Sequence, residues 1–420
     1  MDIKEKIAQA NEKTVHMLMD SDPVWVDMKP AIECVDGLED HMILHSGPPI
    51  AYEDMTMLHK RGMVSAMLFE GWAKDEEEAV KRLKAGEIKI SSALDHNTVG
   101  AGTGIITKSV VLNVVEDRHN HTVAATFPAE GPFQGGFCGW GLYSKEIAEN
   151  NVGLRVSGEE LFPPMVEALH KLGGIPIKPI LAESMQMGDE NHTRQTACDY
   201  IYDRLMLPAL FELDRPKKEI MKTVRYIVDT PRFFHCYGQA AARAALVAAD
   251  GTEYSPMVTA VCGNGVEFGI KIASLPGQWF TAPAPMMKGR YTSSEFTEKD
   301  QLPWMGDSCV VECYGMGGFA AAASPIVCNL RGMTLKESIG QTKEMYRITM
   351  EKNYNFPIPN LDFDFLPVGI DIRKVLKEGV CPAIHGGMFN RVGGLIGAGM
   401  ARVPMQCFEK ALVAFGEKYL

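Results

Sequence analysis

Residues 109–127, SVVLNVVEDRHNHTVAATF, contain two β-branched runs on either side of a short polar turn. Valine-rich and threonine-containing runs that flank such a turn are typical of a β-hairpin. Upstream, residues 74–86 have Asp75 and three glutamates near their start and basic residues before Gly86. Because acids suit the positive end of a helix and glycine often ends one, this segment predicts an exposed helix. The helix and the hairpin together indicate an α/β lobe.

The chain changes character between residues 157 and 250, where apolar residues recur with the spacing of helices. Residues 256–273 and 307–315 then contain short β-rich runs broken by glycines, and residues 404–420 predict a final helix. We therefore predict an α/β (α+β) fold with three parts. They are an N-terminal α/β lobe, a mainly helical domain and a C-terminal α/β lobe, over residues 1–155, 156–250 and 251–420.

The charge pattern limits the partners of the chain. Its 42 basic and 53 acidic side chains give a formal net charge of −11, which disfavours binding to nucleic acid. The N-terminus alternates charges where a secretory signal needs an apolar core, and no apolar run of about 18 residues follows. We therefore expect a cytoplasmic protein without a membrane span. A few arginines would still allow a small anionic substrate to bind.

Two glycine-rich segments lack the features of nucleotide-binding loops. In residues 100–109, GAGTGIITKS, Thr107 occupies the position of the glycine that precedes the lysine of a phosphate loop. Residues 394–402, GLIGAGMAR, lack a properly spaced third glycine and a downstream acid. We therefore expect no cofactor, while a divalent metal stays open as an alternative.

The densest polar segment is MQMGDENHTRQTA, residues 185–197, where two acids, a histidine and an arginine precede a predicted helix. Because an anion is favoured at a helix start, the segment predicts catalytic and anion-binding side chains. A helix cap with a surface ion pair is the alternative interpretation. The candidates are Asp189, Glu190, His192 and Arg194.

A second polar segment, residues 93–105, has the sequence ALDHNTVGAGTGI. Its acid and histidine, Asp95 and His96, precede small residues whose backbone amides are able to approach an oxyanion or a phosphate. A tight turn capped by the aspartate explains the pattern equally well. The candidate amide donors are those of Gly100, Gly102 and Gly104.

Further polar candidates stand beside glycines in the C-terminal part of the chain. Alternation along residues 307–315 would place Ser308, Val310 and Glu312 on one face of a strand. An arginine near a glycine-rich loop suits bidentate binding of carboxylate or phosphate. These side chains either line a cleft or flank turns at the surface. The candidates are Asn264, Asp307, Glu312, Arg373 and His385.

A long ordered series of strings carries a family resemblance. The series is LHSGPPI, LFEGWA, GGIPIKPILAESMQMGDENHTRQTA, NGVEFGIKIASLPGQWFTAPAP, MGDSCVVECYGMGGFA, PVGIDIRKV and IGAGMARVPMQCFEKAL. It resembles the family of the AllG-type subunit of oxamate carbamoyltransferase, also called the YlbE/YahG-like family. The resemblance implies two unusual α/β lobes with a small helical domain, and an assembly with an FdrA-type and an AllH-type subunit. It also implies phosphorolysis of oxalurate to oxamate and carbamoyl phosphate in purine and allantoin nitrogen catabolism.

Carbamoyl transfer to phosphate needs an anion clamp, donors for the developing oxyanion and an acid that protonates the departing nitrogen. We predict Arg194 and Arg373 as clamps and the glycine amides near residues 100–104 as donors. The predicted proton donor is His192 or His96. The acid that orients this histidine is Asp189, Glu190 or Asp95.

Two other functions stay open at this point. The chain is either a non-catalytic subunit that stabilises a site on an FdrA-type partner, or a metal-dependent hydrolase or lyase. In the latter case oxygen and nitrogen ligands are available in the two polar segments. A homo-oligomer is also compatible with the sequence. The metal ligands would come from Asp95, His96, Asp189, Glu190 and His192.

Overall fold

The computed structural model of the chain describes residues 2–128, 136–141, 157–230 and 232–420. The predicted boundary between residues 155 and 156 lies outside the described residues. Up to residue 141 the elements are α1 (Ile3–Met19), β1 (Pro23–Pro30), α2 (Ala31–Cys34), β2 (Met42–His45), α3 (Met57–Phe69), α4 (Glu76–Lys84), β3 (Lys89–Ser92), β4 (Thr98–Val99), β5 (Val111–Asp117), β6 (Thr122–Thr126) and α5 (Phe137–Trp140).

The next part of the chain is mainly helical, as the apolar spacing predicts. Its elements are α6 (Phe162–Leu172), β7 (Ile175–Pro176), α7 (Ile177–Gln186), α8 (Thr196–Phe211), α9 (Lys217–Asp229) and α10 (His235–Ala249). The remaining elements are β8 (Val258–Asn264), β9 (Glu267–Ile272), β10 (Phe280–Pro283), β11 (Lys288–Tyr291), β12 (Met305–Gly306), α11 (Val310–Cys313), α12 (Pro325–Leu330), α13 (Leu335–Met345), β13 (Thr349–Ile358), β14 (Asp364–Ile370), α14 (Ile372–Glu378), β15 (Ala383–Phe389), β16 (Leu395–Arg402) and α15 (Met405–Tyr419). This mixture of helices and open sheets confirms the predicted α/β class.

The predicted N-terminal hairpin is confirmed. β5 and β6 run antiparallel with Val115 opposite Ala124, and both belong to a five-stranded sheet with the order β4-β6-β5-β1-β7. Helix α10 packs against β5 and β6, so one face of the sheet is covered. The predicted helix is also present as α4, and the Asp75 side chain accepts a hydrogen bond from the amide of Glu78 at 2.9 Å.

A second sheet has the order β10-β9-β8-β12, and in it the β-rich runs predicted over residues 256–273 form the antiparallel strands β8 and β9. All seven residues of β8 are buried, which is typical of a short apolar run with both faces covered. The other strands form the three-stranded sheet β11-β16-β15, the pair β13-β14 and the parallel pair β2-β3. The predicted final helix is α15.

The prediction of a strand over residues 307–315 is wrong, because Val310–Cys313 form the short helix α11. Ser308, Val310 and Glu312 therefore do not alternate along one strand face. The physical reason is burial on every side: all four residues of α11 are buried. An apolar run without an exposed face shows the same pattern in a strand and in a buried helix.

The main hydrophobic core contains side chains from all three predicted parts of the chain. Trp25 of β1 packs against Tyr237 of α10, with ring centroids 4.7 Å apart, and against Tyr202 of α8. The same core cluster contains Val261 of β8 and Phe408 of α15. Side chains from all three predicted parts thus share one interior, and the division at residues 155 and 250 stays a prediction.

This packing brings the loop between α7 and α8 close to α11 and β15. The amide of Gly317, which follows α11, donates to the carbonyl oxygen of Glu190 at 2.6 Å. Residues 189–192 of the polar segment are buried, whereas Met187 is exposed. In the part of the chain that the structure describes, no helix combines the length and the apolar character needed to cross a bilayer.

Candidate functional site

Two buried histidine–glutamate pairs form the centre of the candidate site. Nδ1 of His192 lies 2.9 and 3.0 Å from the two carboxylate oxygens of Glu312. Nδ1 of His385 lies 3.2 Å from Oε2 of Glu190. All four side chains are almost inaccessible to solvent. The α7–α8 loop carries His192 and Glu190, α11 carries Glu312 and β15 carries His385, so three elements meet here.

Glu312 connects the two pairs. Besides His192, its Oε1 accepts hydrogen bonds from the amides of His385 at 2.8 Å and Gly318 at 3.1 Å. Burial raises the pKa of Glu312, and the charge and hydrogen bond of His192 oppose the rise. Gly317 has a φ of +58°, and a Cβ there would stand 2.2 Å from Oε1 of Glu312. Only glycine therefore leaves room for the carboxylate.

Glu190 is the second buried carboxylate. Its Oε1 accepts the amide of Arg194 at 2.9 Å and also that of Thr193. Burial alone would raise its pKa, but the hydrogen bond from His385 and the charge of Arg331 lower the pKa below the ordinary value. Glu190 is therefore ionised at neutral pH.

The tautomer of His385 follows from its partners. Burial and the nearby Arg331 charge lower its pKa to about 3, so the ring is neutral at neutral pH. Nε2 of Gln341 lies 2.9 Å from Nε2 of His385 and donates to the carbonyl of Gly318 at 2.8 Å. The amide nitrogen thus faces the ring, so Nε2 of His385 accepts and Nδ1 donates to Glu190. His385 positions Glu190 and has no ring nitrogen left for chemistry.

His192 differs from His385 in this respect. Its Nδ1 is anchored on Glu312, whereas no hydrogen bond to its Nε2 is found among the described residues. The rings of His235 and Trp304 flank it, each with its centroid 6.2 Å away. A carboxylate-anchored imidazole with its other nitrogen available is able to accept a proton and return it. His192 is thus the side chain of this group that fits acid–base chemistry.

Asp189 and Arg194 border this group and have partners of their own. Oδ2 of Asp189 caps α8 by accepting the amides of Ala197 at 2.8 Å and Cys198 at 3.0 Å. Its Oδ1 lies 3.3 Å from Nε of Arg194. Burial raises the pKa of Asp189 to about 6, although the hydrogen bonds from the two amides act to lower it. The geometry here is that of a helix cap with an ion pair, the alternative interpretation of the segment.

A second buried group surrounds Asp307. Its two carboxylate oxygens accept the amides of Gly47 at 2.7 Å and Gly100 at 3.1 Å, which joins two loops. The amide of Gly104 donates to the carbonyl of Ala101. Two of the three predicted glycine donors, Gly100 and Gly104, are therefore engaged within the protein.

The remaining glycine and Asn264 have structural contacts in the same region. The carbonyl of Gly102 accepts the hydroxyl of Ser46 at 2.6 Å. Asn264 donates to the carbonyl of Pro48 at 3.0 Å, and its Oδ1 accepts two amides of the turn that follows β8. These contacts hold the loop at residues 46–48 against the second sheet.

Three predicted residues have partners away from the His192 group. Asp95 pairs with Lys271 at 2.8 Å and accepts the indole N–H of Trp279. The ring nitrogens of His96 bond the carbonyl of Asp36 and the hydroxyl of Ser91. Arg373 forms a two-pronged contact with Asp371 at 3.1 and 2.6 Å. Of the fourteen predicted site residues, the central pairs unite Glu190, His192, Glu312 and His385.

Sequence reasoning did not select Arg331, Gln341, His235 and Trp304, which the structure adds to this region. Arg331, His235 and Trp304 stand in segments without the density of polar residues that marks residues 189–194, and Gln341 lies among the charged residues of helix α13. The described part of the chain contains no group of three or more histidine, cysteine, aspartate or glutamate side chains placed to hold a metal ion.

The Asp307 group gives a prediction about pH. Burial raises the pKa of Asp307 to about 7, although the Gly47 and Gly100 amides oppose the rise. Its pKa is about 3.9 in an unfolded chain. Between about pH 4 and pH 7, Asp307 is therefore protonated in the folded state and ionised in the unfolded state, so the free energy of unfolding falls as pH rises. We expect the stability advantage of the wild type over Asp307→Asn to be larger at pH 5 than at pH 8, by about 2 kcal/mol.

Urea unfolding of both proteins at the two pH values measures this difference. Comparing two chains that differ at one position cancels the titration of the other carboxylates. An advantage that is the same at pH 5 and pH 8 would contradict the raised pKa of Asp307.

Comparison with known proteins agrees with the resemblance seen in the sequence. The family model of oxamate carbamoyltransferase subunit AllG matches residues 88–308. The chain is 34% identical over 416 residues to the oxamate carbamoyltransferase subunit AllG of Escherichia coli strain K12, with 98% of each chain covered. It is 33% identical over 420 residues to the uncharacterized protein YahG of the same strain, covering 99% of this chain and 88% of YahG.

A solved structure is also similar. The crystal structure of a conserved protein of unknown function from Enterococcus faecalis V583 matches with a TM-score of 0.95 and 32% sequence identity, and each chain is covered completely. The fold is therefore shared over the full length. This chain belongs to the family of the oxamate carbamoyltransferase subunit AllG.

Proposed function

We propose that this chain is a catalytic subunit of a carbamoyltransferase that converts oxalurate and phosphate to oxamate and carbamoyl phosphate. The name of the E. coli relative supports the reaction class. The observation that carries a catalytic role is His192, whose Nδ1 is fixed by Glu312 while Nε2 has no hydrogen bond among the described residues. FdrA-type and AllH-type subunits are the proposed partners, with a small anionic substrate and phosphate.

The proposed reaction needs one proton transfer. A phosphate oxygen attacks the carbamoyl carbon of oxalurate, the bond from this carbon to the amide nitrogen breaks, and oxamate leaves. Hydrogen phosphate loses the one proton that the oxamate nitrogen gains. Nε2 of His192 is able to accept this proton and then donate it, so one imidazole is sufficient. No oxidation or reduction occurs, and the proposal includes no cofactor.

In this scheme Glu312 orients His192, the role for which Asp189, Glu190 or Asp95 is predicted from the sequence. It holds the Nδ1–H tautomer of His192 and stabilises the imidazolium that forms during transfer. The Glu190–His385 pair keeps the α7–α8 loop in place, because Glu190 also accepts the amides of the two residues after His192. The acid that orients His192 thus comes from a different element of the fold.

The test is carbamoyl phosphate formation from oxalurate and phosphate. It is run with this chain alone, with the FdrA-type and AllH-type partners alone, and with the mixture. We expect product in the mixture and none when this chain is omitted. Full activity of the partners alone would contradict a catalytic role and favour a non-catalytic, stabilising subunit.

The same assay separates transfer from hydrolysis. A metal-dependent hydrolase or lyase would consume oxalurate without phosphate and would lose activity with a chelator. We expect consumption to depend on phosphate and to continue in the presence of EDTA. Phosphate-independent consumption that stops with EDTA would replace the transferase proposal by the hydrolase alternative.

A further inference from the structure

Arg331 is a buried guanidinium with incomplete hydrogen bonding. It follows α12 and is only 7% exposed. Its Nε donates to the carbonyl of Gly399 at 3.2 Å, and its Nη2 donates to the hydroxyl of Thr193. Its Nη1 is buried and has no hydrogen-bond partner among the residues that the structure describes. Burial lowers the pKa of Arg331 to about 10, so the side chain keeps its positive charge at neutral pH.

Arg331 lies beside the His192 group. Thr193, which accepts its Nη2, directly follows His192 in the α7–α8 loop. The charges of Glu190 and Glu312 act to raise the pKa of Arg331, and the charge of Arg331 acts to lower the pKa of His385. No carboxylate of the described residues lies within 4.0 Å of its nitrogens, so neither glutamate forms a salt bridge with it.

The two arginines predicted as clamps differ from Arg331. Arg194 pairs with Asp189 at 3.3 Å, and Arg373 makes a two-pronged contact with Asp371. A guanidinium already bound to a carboxylate gains less from a second anion than one with an unused N–H group. A buried donor without an acceptor is costly, so an acceptor at Nη1 would be favoured.

We infer that Nη1 of Arg331 binds an oxyanion of the substrates, either the carboxylate that oxalurate and oxamate share or the phosphate. This inference rests on the proposed function and names the side chain that anchors its anion. Binding at Nη1 places the anion beside the segment that carries His192. Neutral His385 adds no positive charge there, so the attraction comes from Arg331.

The test measures binding separately from turnover. Inorganic phosphate and oxamate are titrated separately by calorimetry into the assembled complex that contains wild-type chain, Arg331→Gln or Arg347→Gln. Arg347 is a matched surface control, because it is half exposed and pairs with Glu378. Circular dichroism checks that each variant is folded.

We expect Arg331→Gln to weaken the binding of one of the two anions about 10- to 100-fold, the usual size of a lost charge-assisted hydrogen bond. Arg347→Gln should leave both affinities unchanged. A loss for phosphate alone assigns the phosphate to Arg331, and a loss for oxamate alone assigns the carboxylate. In turnover, the KM of that same substrate should rise by a similar factor while the KM of the other stays constant.

Unchanged affinities in folded Arg331→Gln would overturn the inference, and so would a wild-type complex that binds neither anion. If the glutamine variant does not fold, Arg331→Lys is measured in its place. This variant keeps the buried charge, and we expect it to retain only part of the wild-type affinity for the anion. If the complex binds an anion through Arg331 but forms no carbamoyl phosphate, the anion site at Arg331 is supported and the proposed reaction is refuted. The two failures are therefore distinguishable.

Discussion

Replacing His192 with alanine is expected to lower carbamoyl phosphate formation about 10²- to 10⁴-fold, the usual contribution of a positioned acid–base group. The reason is geometric: Nδ1 of His192 is held by Glu312, and no hydrogen bond to its Nε2 is found among the described residues. The measurement is kcat in the assembled complex with oxalurate and phosphate at saturation. Binding of phosphate and oxamate should change much less than kcat, because Arg331 and not His192 is the inferred anchor.

Two other histidines provide controls for this prediction. His119 is exposed at the turn of the β5–β6 hairpin, and His119→Ala should leave kcat unchanged. His96 was the other proton donor predicted from the sequence, but both of its ring nitrogens are hydrogen bonded. We expect His96→Ala to lower kcat far less than His192→Ala. Full activity of a folded His192→Ala complex would remove His192 from the mechanism.

Replacing Glu312 with alanine is expected to lower the free energy of unfolding by about 3–5 kcal/mol, because each buried donor left without an acceptor costs about 1–3 kcal/mol. The loss follows from the contacts that depend on one carboxylate. Without it, Nδ1 of His192 and the amides of His385 and Gly318 all lose their acceptor in the interior. Urea denaturation of the purified chain gives the difference.

Glu312→Gln tests the separation of stability from catalysis. Glutamine has a similar size and keeps one acceptor, so we expect a smaller loss of stability than with alanine. It cannot stabilise an imidazolium by charge, so kcat should still fall strongly. As a surface control, Glu378→Ala breaks the exposed pair with Arg347 and should cost at most about 1 kcal/mol. Equal losses for Glu312→Ala and Glu378→Ala would contradict the central place of Glu312.

Local patterns predicted the elements that have clear cap or turn signals. The helix at residues 74–86 has a capping aspartate and ends before Gly86, and the hairpin at residues 109–127 has a short polar turn between its two strands; both are present. The strand predicted at residues 307–315 is instead the helix α11, which is buried all round. A buried run without an exposed face does not by itself distinguish a strand from a helix, although the fully buried β8 is a strand within a predicted β-rich run.

Local composition and the order of short strings were enough to predict the α/β class and the family, and they selected residues 189–194 as candidates. The acid that holds His192 could be identified only from the packing of the chain. Glu312 is 120 residues away along the chain, and His385, which completes the second pair, is 195 residues from Glu190. Periodicity and spacing describe neighbours within one element and contain no information about which distant elements meet. Packing of α11 and β15 against the α7–α8 loop joins these residues, and the same packing leaves Arg331 buried beside them.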